Sequence, residues 1–145
     1  MNTRSIGTAV LFAGTVLTGS TLYAHHSFGM FDMKPDSEVV LVGVVKQWSL
    51  VNPHSWLMVT VTNPDGTRTD WSLECAAVAQ LIPMGINVDT FKVGEKVTVV
   101  AGPLKDGRHG GVLKFVQHAD GTYTLANDAG NIGQEALDRW KAKSH

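Results

Sequence analysis

Cysteine is nearly absent. The chain of 145 residues has one, Cys75, so no internal disulfide can form and packing must supply the stability. In an exported protein an unpaired thiol is buried, metal-bound or bonded to another chain, and burial is the plainest fate because free cysteine packs as a small hydrophobe. Runs of basic residues are missing as well. Twelve Lys and Arg face 13 Asp and Glu, for a formal net charge of −1, whereas a nucleic-acid groove or an anionic membrane surface calls for a basic stripe. The apolar run from Ile6 to Leu17 is too short and too rich in glycine to span a bilayer comfortably. Catalytic signatures are missing too: there is no nucleophile elbow, no phosphate-cradling loop and no paired-histidine protease spacing. An enzyme is therefore unsupported, and its one foothold is Cys75 beside Glu74 with a distant histidine.

The opening MNTRSIGTAVLFAGTVLTGSTLYA follows the order of a secretory signal, with Arg4, an apolar stretch, then Gly19-Ser20-Thr21 and the small Ala24. Cleavage after Ala24 and a periplasmic location are expected, with no membrane segment left after cleavage; an uncut signal anchor is the alternative. Residues 1–24 are thus set aside as signal peptide, 25–37 as the mature amino-terminal segment, 38–125 as a barrel domain and 126–145 as a linker with a C-terminal helix.

From Glu38 the run EVVLVGVVKQWS is dense in valine and fits a strand buried on both faces, with Gly43 as its bending point. Asn52-Pro53 breaks pairing and makes a loop. WLMVTVT alternates, Leu57, Val59 and Val61 against Trp56, Met58 and Thr60. Asn63-Pro64-Asp65-Gly66 turns the chain into TRTDWSLE, whose Thr67, Thr69, Trp71 and Leu73 share a face. CAAVAQLIPMG favours one or two helical turns, stopped by Pro83 and Gly85. KVTVVAGPL and VLKFVQH make a fourth and a fifth strand around the glycine-rich loop KDGRHGG, and Asp120-Gly121 leads into TYTL. NDAGNIG reads as a surface linker, and QEALDRWKAKSH spaces Ala136, Leu137 and Trp140 for a short helix that docks through Trp140. The expected fold is mostly β: a small five- to six-stranded OB-like antiparallel barrel with one short connecting helix plugging an end and a short C-terminal helix. A sandwich or an open meander is the competing arrangement.

In an OB barrel, ligands meet the face of the second and third strands, between the first loop and the loop joining strands four and five. The first loop holds His54 and the second holds His109, while Trp56, Trp71 and Glu74 lie on the strands between them. These four, Trp56, Trp71, Glu74 and His109, are the expected ligand face. Cleavage after Ala24 also gives His25 a free α-amine beside its imidazole, a chelating pair that no internal histidine has. Nitrogen ligation of this kind suits Cu(II) best, so a transition-metal site of His25, His26 and His54 is one expectation. A metal-free protein- or small-ligand-binding module using the aromatic face is the other. Met30, Met33, Met58 and Met84 offer thioether sulfur, though scattered methionines are more often core filler.

The pieces AHHSF, MFD, GVVKQW, NPHSWLMV, DWSLE and FKVGEKVTV together resemble a family of small exported bacterial proteins known only as a domain of unknown function. The likeness runs over about residues 24–118, and HHSF, NPH and W-x-L-E are its most specific parts. The resemblance implies a periplasmic β-barrel-like domain and carries over His25, His26, His54, Trp71 and Glu74 as functional positions.

Overall fold

The computed structural model describes residues 27–127 and 131–143. Six strands form, β1 (Val39–Ser49), β2 (Trp56–Thr62), β3 (Arg68–Glu74), β4 (Lys96–Pro103), β5 (Gly110–His118) and β6 (Tyr123–Thr124), with helices α1 (Val78–Leu81) and α2 (Ile132–Lys143). β1 pairs antiparallel with β2 on one side and β4 on the other, β2 with β3, and β4 with β5. A three-pair parallel ladder, Ser72 to Glu74 against Gly110 to Val112, joins β3 to β5. Five strands thereby close into an OB-like barrel, and β6 is added on β5 as an extra strand.

β1 bridges the two halves: Val39–Val44 pair with β4 and Gly43–Ser49 with β2. A Cβ on Gly43 would lie 2.6 Å from the carbonyl oxygen of Thr60, so a side chain there would force β1 and β2 apart. The irregularity in the strand falls between Val45 and Gln47, beyond the glycine expected to carry it. Burial of β1 on both faces does not occur either. Leu41 and Val45 point inward, while Val40, Val42 and Val44 are 51%, 68% and 37% exposed. A closed barrel has one interior, side chains alternate across its wall, and no helix covers this part of the outside.

The interior is filled from each of the five barrel strands: Val45, Leu57, Val59, Leu73, Val99, Leu113 and Val116 are essentially inaccessible. Each contributes roughly 1.5–3 kcal/mol of burial energy, which makes this layer the main source of stability. Leu81 of α1, with Ile86 and Phe91, belongs to the same cluster and plugs one end of the barrel. Outside β4 and β5 a second cluster joins Val100 and Phe115 to Ala136 and Leu137 of α2. Trp140 docks there edge-to-face on Phe115, with ring centroids 5.9 Å apart. The start of the expected surface linker is not at the surface. Ala126 and Asn127 are buried, and Ala126 accepts a hydrogen bond from the backbone N–H of Ala76 at 2.9 Å.

Two polar clusters stiffen the outside of the frame. Lys114, 2% exposed, donates to Glu38 Oε1 at 2.8 Å, and Arg139 of α2 donates to the same oxygen at 2.5 Å. His118 has both ring nitrogens engaged, Nδ1 with Glu95 at 2.5 Å and Nε2 with Thr124 Oγ1 at 2.8 Å, and it stacks on Phe91. It is a structural histidine. Among the described residues no helix is long and apolar enough to cross a membrane.

Candidate functional site

The β1–β2 loop is fastened beneath by Ser55, which is fully buried. Its N–H donates to Ala76 O at 3.1 Å, its carbonyl accepts from Cys75 N at 2.8 Å, and its hydroxyl donates to Val51 O at 3.2 Å. Within this loop the Asn52–Pro53 peptide is cis. The loop delivers His54 to the end of β3, where its Nδ1 lies 2.7 Å from Oε1 of Glu74. Burial pushes the Glu74 carboxyl above its ordinary range, and the facing imidazole pulls it back down. With the carboxylate lying against Nδ1, Nε2 is the open side of the ring. Among the described residues Nε2 makes no hydrogen bond.

Register puts Glu74 directly across from Trp56 on β2, so the carboxyl and the indole share the outer face of the sheet. Trp71, an odd number of residues from Glu74, belongs to the opposite face and packs on the barrel core. The expected single face bearing both tryptophans is therefore split. Trp71 reaches the neighbourhood of the site through its edge contact with the His109 ring, centroids 5.3 Å apart.

The other wall is the β4–β5 loop. Its glycines are not all loop residues: Gly110 and Gly111 open β5 and are buried. A Cβ on Gly111 would lie 2.5 Å from Gly102 O, so the close approach of β4 and β5 requires glycine here. Across this loop runs the segment before β1. Phe31 bridges Leu104, Asp32 N donates to Pro103 O at 2.8 Å, and Lys105 N donates to Met30 O at 2.9 Å. This strap, the β4–β5 loop, the start of β2 and the β3–β5 seam line a cleft of about 380 Å³, with Met30, Phe31, Trp56, Glu74, Leu104 and His109 among its residues.

Of the residues singled out from the sequence, Trp56, Glu74 and His109 thus line one cleft, His54 stands behind Glu74, and Trp71 supports His109. His25 and His26 lie outside the described residues. Among the described residues no three of His, Cys, Asp and Glu come together as a metal site. Cys75 is fully enclosed and burial pushes its thiol far above the ordinary range, so it is no nucleophile.

Sequence reasoning missed the strap. Met30 and Phe31 form a wall of the cleft, and their one signal in the sequence was their place in the MFD piece ahead of β1. Arg108 also lines the cleft and is tied through Nε to Asp106 Oδ2 at 2.8 Å. A wider groove of about 580 Å³ on the outside of β1–β3 has its central polar groups engaged with one another: Asp70 accepts from Thr60 Oγ1 at 2.7 Å and from Lys46.

Neither a curated protein nor a solved structure matches the chain. A family model does, over residues 14–114, a stretch that takes in the strap, both loops and the barrel as far as Lys114 in β5 while leaving α2 outside. On that match the chain belongs to the family of unknown function DUF6152.

Proposed function

We propose that the mature chain is a small periplasmic binding module that takes a small ligand into the cleft between the strap, the β4–β5 loop and the β3–β5 seam. One observation carries the reading: Trp56, Glu74 and His109, from separate parts of the sequence, line a single cleft of about 380 Å³. That volume is within the range of small-molecule pockets, which combine apolar walls with a few convergent polar groups. The apolar walls are Met30, Phe31, Trp56 and Leu104, and the polar side chains are those of Ser72, Glu74, Arg108 and His109. A thermal-shift screen of small molecules tests it. Hits should exist, and Trp56→Ala should abolish their stabilising effect, read against that variant's own unliganded melting temperature because much of the Trp56 side chain is covered. Hits that survive the substitution would place binding elsewhere.

A second reading, a Cu(II) site of His25, His26 and His54, draws support from the His54–Glu74 pair. Ligating histidines commonly present their second nitrogen to a carboxylate in this way. Its test is intact mass with elemental analysis of untagged protein from the periplasm, followed by Cu(II) titration of a variant with one extra residue before His25. Equal uptake by that variant rules out the amino-terminal chelate.

A further inference from the structure

We infer that the ligand of this cleft is an organic cation, a small ammonium compound carrying an apolar group, held between the Glu74 carboxylate and the Trp56 ring. The inference rests on the small-ligand reading above and names the chemistry of the ligand.

Three observations support it. Trp56 and Glu74 are direct cross-strand partners, and both line the cleft, so a group bound there meets an aromatic face and a carboxylate side by side. A cation over an indole face gains from the ring quadrupole, and it gains more where water is excluded. Secondly, Glu74 is short of hydrogen-bond partners although only 9% of the residue is exposed. His54 Nδ1 lies 2.7 Å from Oε1 but is not aligned for a hydrogen bond, and Oε2 accepts none among the described residues. An arriving ammonium would set a cation directly against this carboxyl.

Thirdly, the cations nearby have partners of their own. Arg108, which also lines the cleft, holds Asp106 Oδ2 through Nε at 2.8 Å, and Lys105 donates to the carbonyl of Gly29 at 2.9 Å. An anionic ligand reaching the Arg108 guanidinium from within the cleft would also lie against Glu74. Met30, Phe31 and Leu104 add apolar surface to the lining, which suits alkyl groups on the nitrogen.

The test is a matched series of probes: choline, its neutral carbon isostere dimethylbutanol, and the isosteric acid dimethylbutyrate. Each is titrated into the purified mature protein and followed by tryptophan fluorescence and calorimetry. Choline should bind about tenfold or more tightly than the neutral isostere, the margin a desolvated cation–π contact brings. The acid should not bind. Glu74→Gln should weaken choline binding and narrow the preference for charge to what the indole alone supplies, and Trp56→Leu should remove both choline binding and the fluorescence response, with melting curves confirming that each variant is folded. Equal binding of choline and the alcohol, tighter binding of the acid, or an unaltered choline affinity in Glu74→Gln would overturn the inference. Should all three probes fail while a thermal-shift hit depends on Trp56, the cation idea falls and the cleft remains the ligand site. If no compound of any charge shows a Trp56-dependent effect, both fall.

Discussion

Replacing Glu38 with glutamine should be among the most damaging single changes available outside the barrel interior. Glu38 Oε1 serves two cations, Lys114 at 2.8 Å and Arg139 at 2.5 Å. The two are not equal. Arg139 has 34% of its side chain exposed and can turn to water, so its pairing is worth at most about 1 kcal/mol. Lys114 is 2% exposed and has no such outlet; its remaining acceptor is Met33 O at 3.4 Å. Removing the partner of a buried charge costs about 3–5 kcal/mol. For a domain of this size that lowers the melting temperature by roughly 10–25 °C. The reasoning also fixes the other corners of the cycle. Lys114→Met, which keeps the stem and removes the charge, should cost below about 1.5 kcal/mol. The double variant Glu38→Gln/Lys114→Met should recover most of what Glu38→Gln loses. Urea and thermal unfolding followed by circular dichroism measure all four proteins. A Glu38→Gln protein within about 1 kcal/mol of the parent, or strictly additive losses in the double variant, would refute the claim that Lys114 depends on this carboxylate.

Three further outcomes follow from the packing and the turns. Gly111→Ala should cost about 1–3 kcal/mol in urea unfolding because its methyl would meet the Gly102 carbonyl, whereas Gly29→Ala, with nothing within 4 Å, should stay within about 0.5 kcal/mol of the parent. Cys75 should resist alkylation in the native protein and label fully in denaturant, since the neutral, enclosed thiol is neither accessible nor ionised; prompt labelling under native conditions would contradict its burial. Asp65 and Asp120 each accept the hydroxyl and then the N–H of the threonine two residues on, which holds their carboxyls below the ordinary range. Their folded-state values lie below the unfolded ones, so their stabilising contribution is present above about pH 4 and is lost as the pH falls through the lowered values. Asp65→Asn/Asp120→Asn should therefore flatten the acid limb of the stability profile, and an unchanged limb would show the turns carry no such linkage.

Much of the barrel was legible because its signals are local. Alternation in WLMVTVT and TRTDWSLE, the Asn63–Gly66 turn between them and the helix-favouring stretch before Pro83 depend on near neighbours in the chain, and each appears at the expected place. The valine-rich β1 misled, because a run of β-branched residues reads as doubly buried whether or not a second layer exists to cover it; Val42 lies open to solvent. Gly110 and Gly111 misled in the opposite sense. Glycine suggests a loose loop, yet here it allows two strand backbones to approach. The candidate site was half legible. Trp56, Glu74 and His109 could be placed together once the order of elements suggested an OB barrel, but the split between Trp56 and Trp71 needed the actual register. Met30, Phe31 and the Glu38–Lys114–Arg139 cluster were invisible, since each depends on contacts between residues far apart in sequence, such as Phe31 with Leu104.

The parallel ladder that shuts the barrel spans three residue pairs, and four of its six residues, Ser72, Glu74, Gly110 and Gly111, line the cleft. Whatever occupies the cleft therefore leans on both lips of the weakest seam in the cylinder and works as a clasp. Occupancy and integrity are then one equilibrium: a compound present at a hundred times its dissociation constant adds about 2.7 kcal/mol to the folded state. Amide exchange along Ser72–Glu74 and Gly110–Val112 becomes a gauge of ligation, readable even before the chemical nature of the guest is settled.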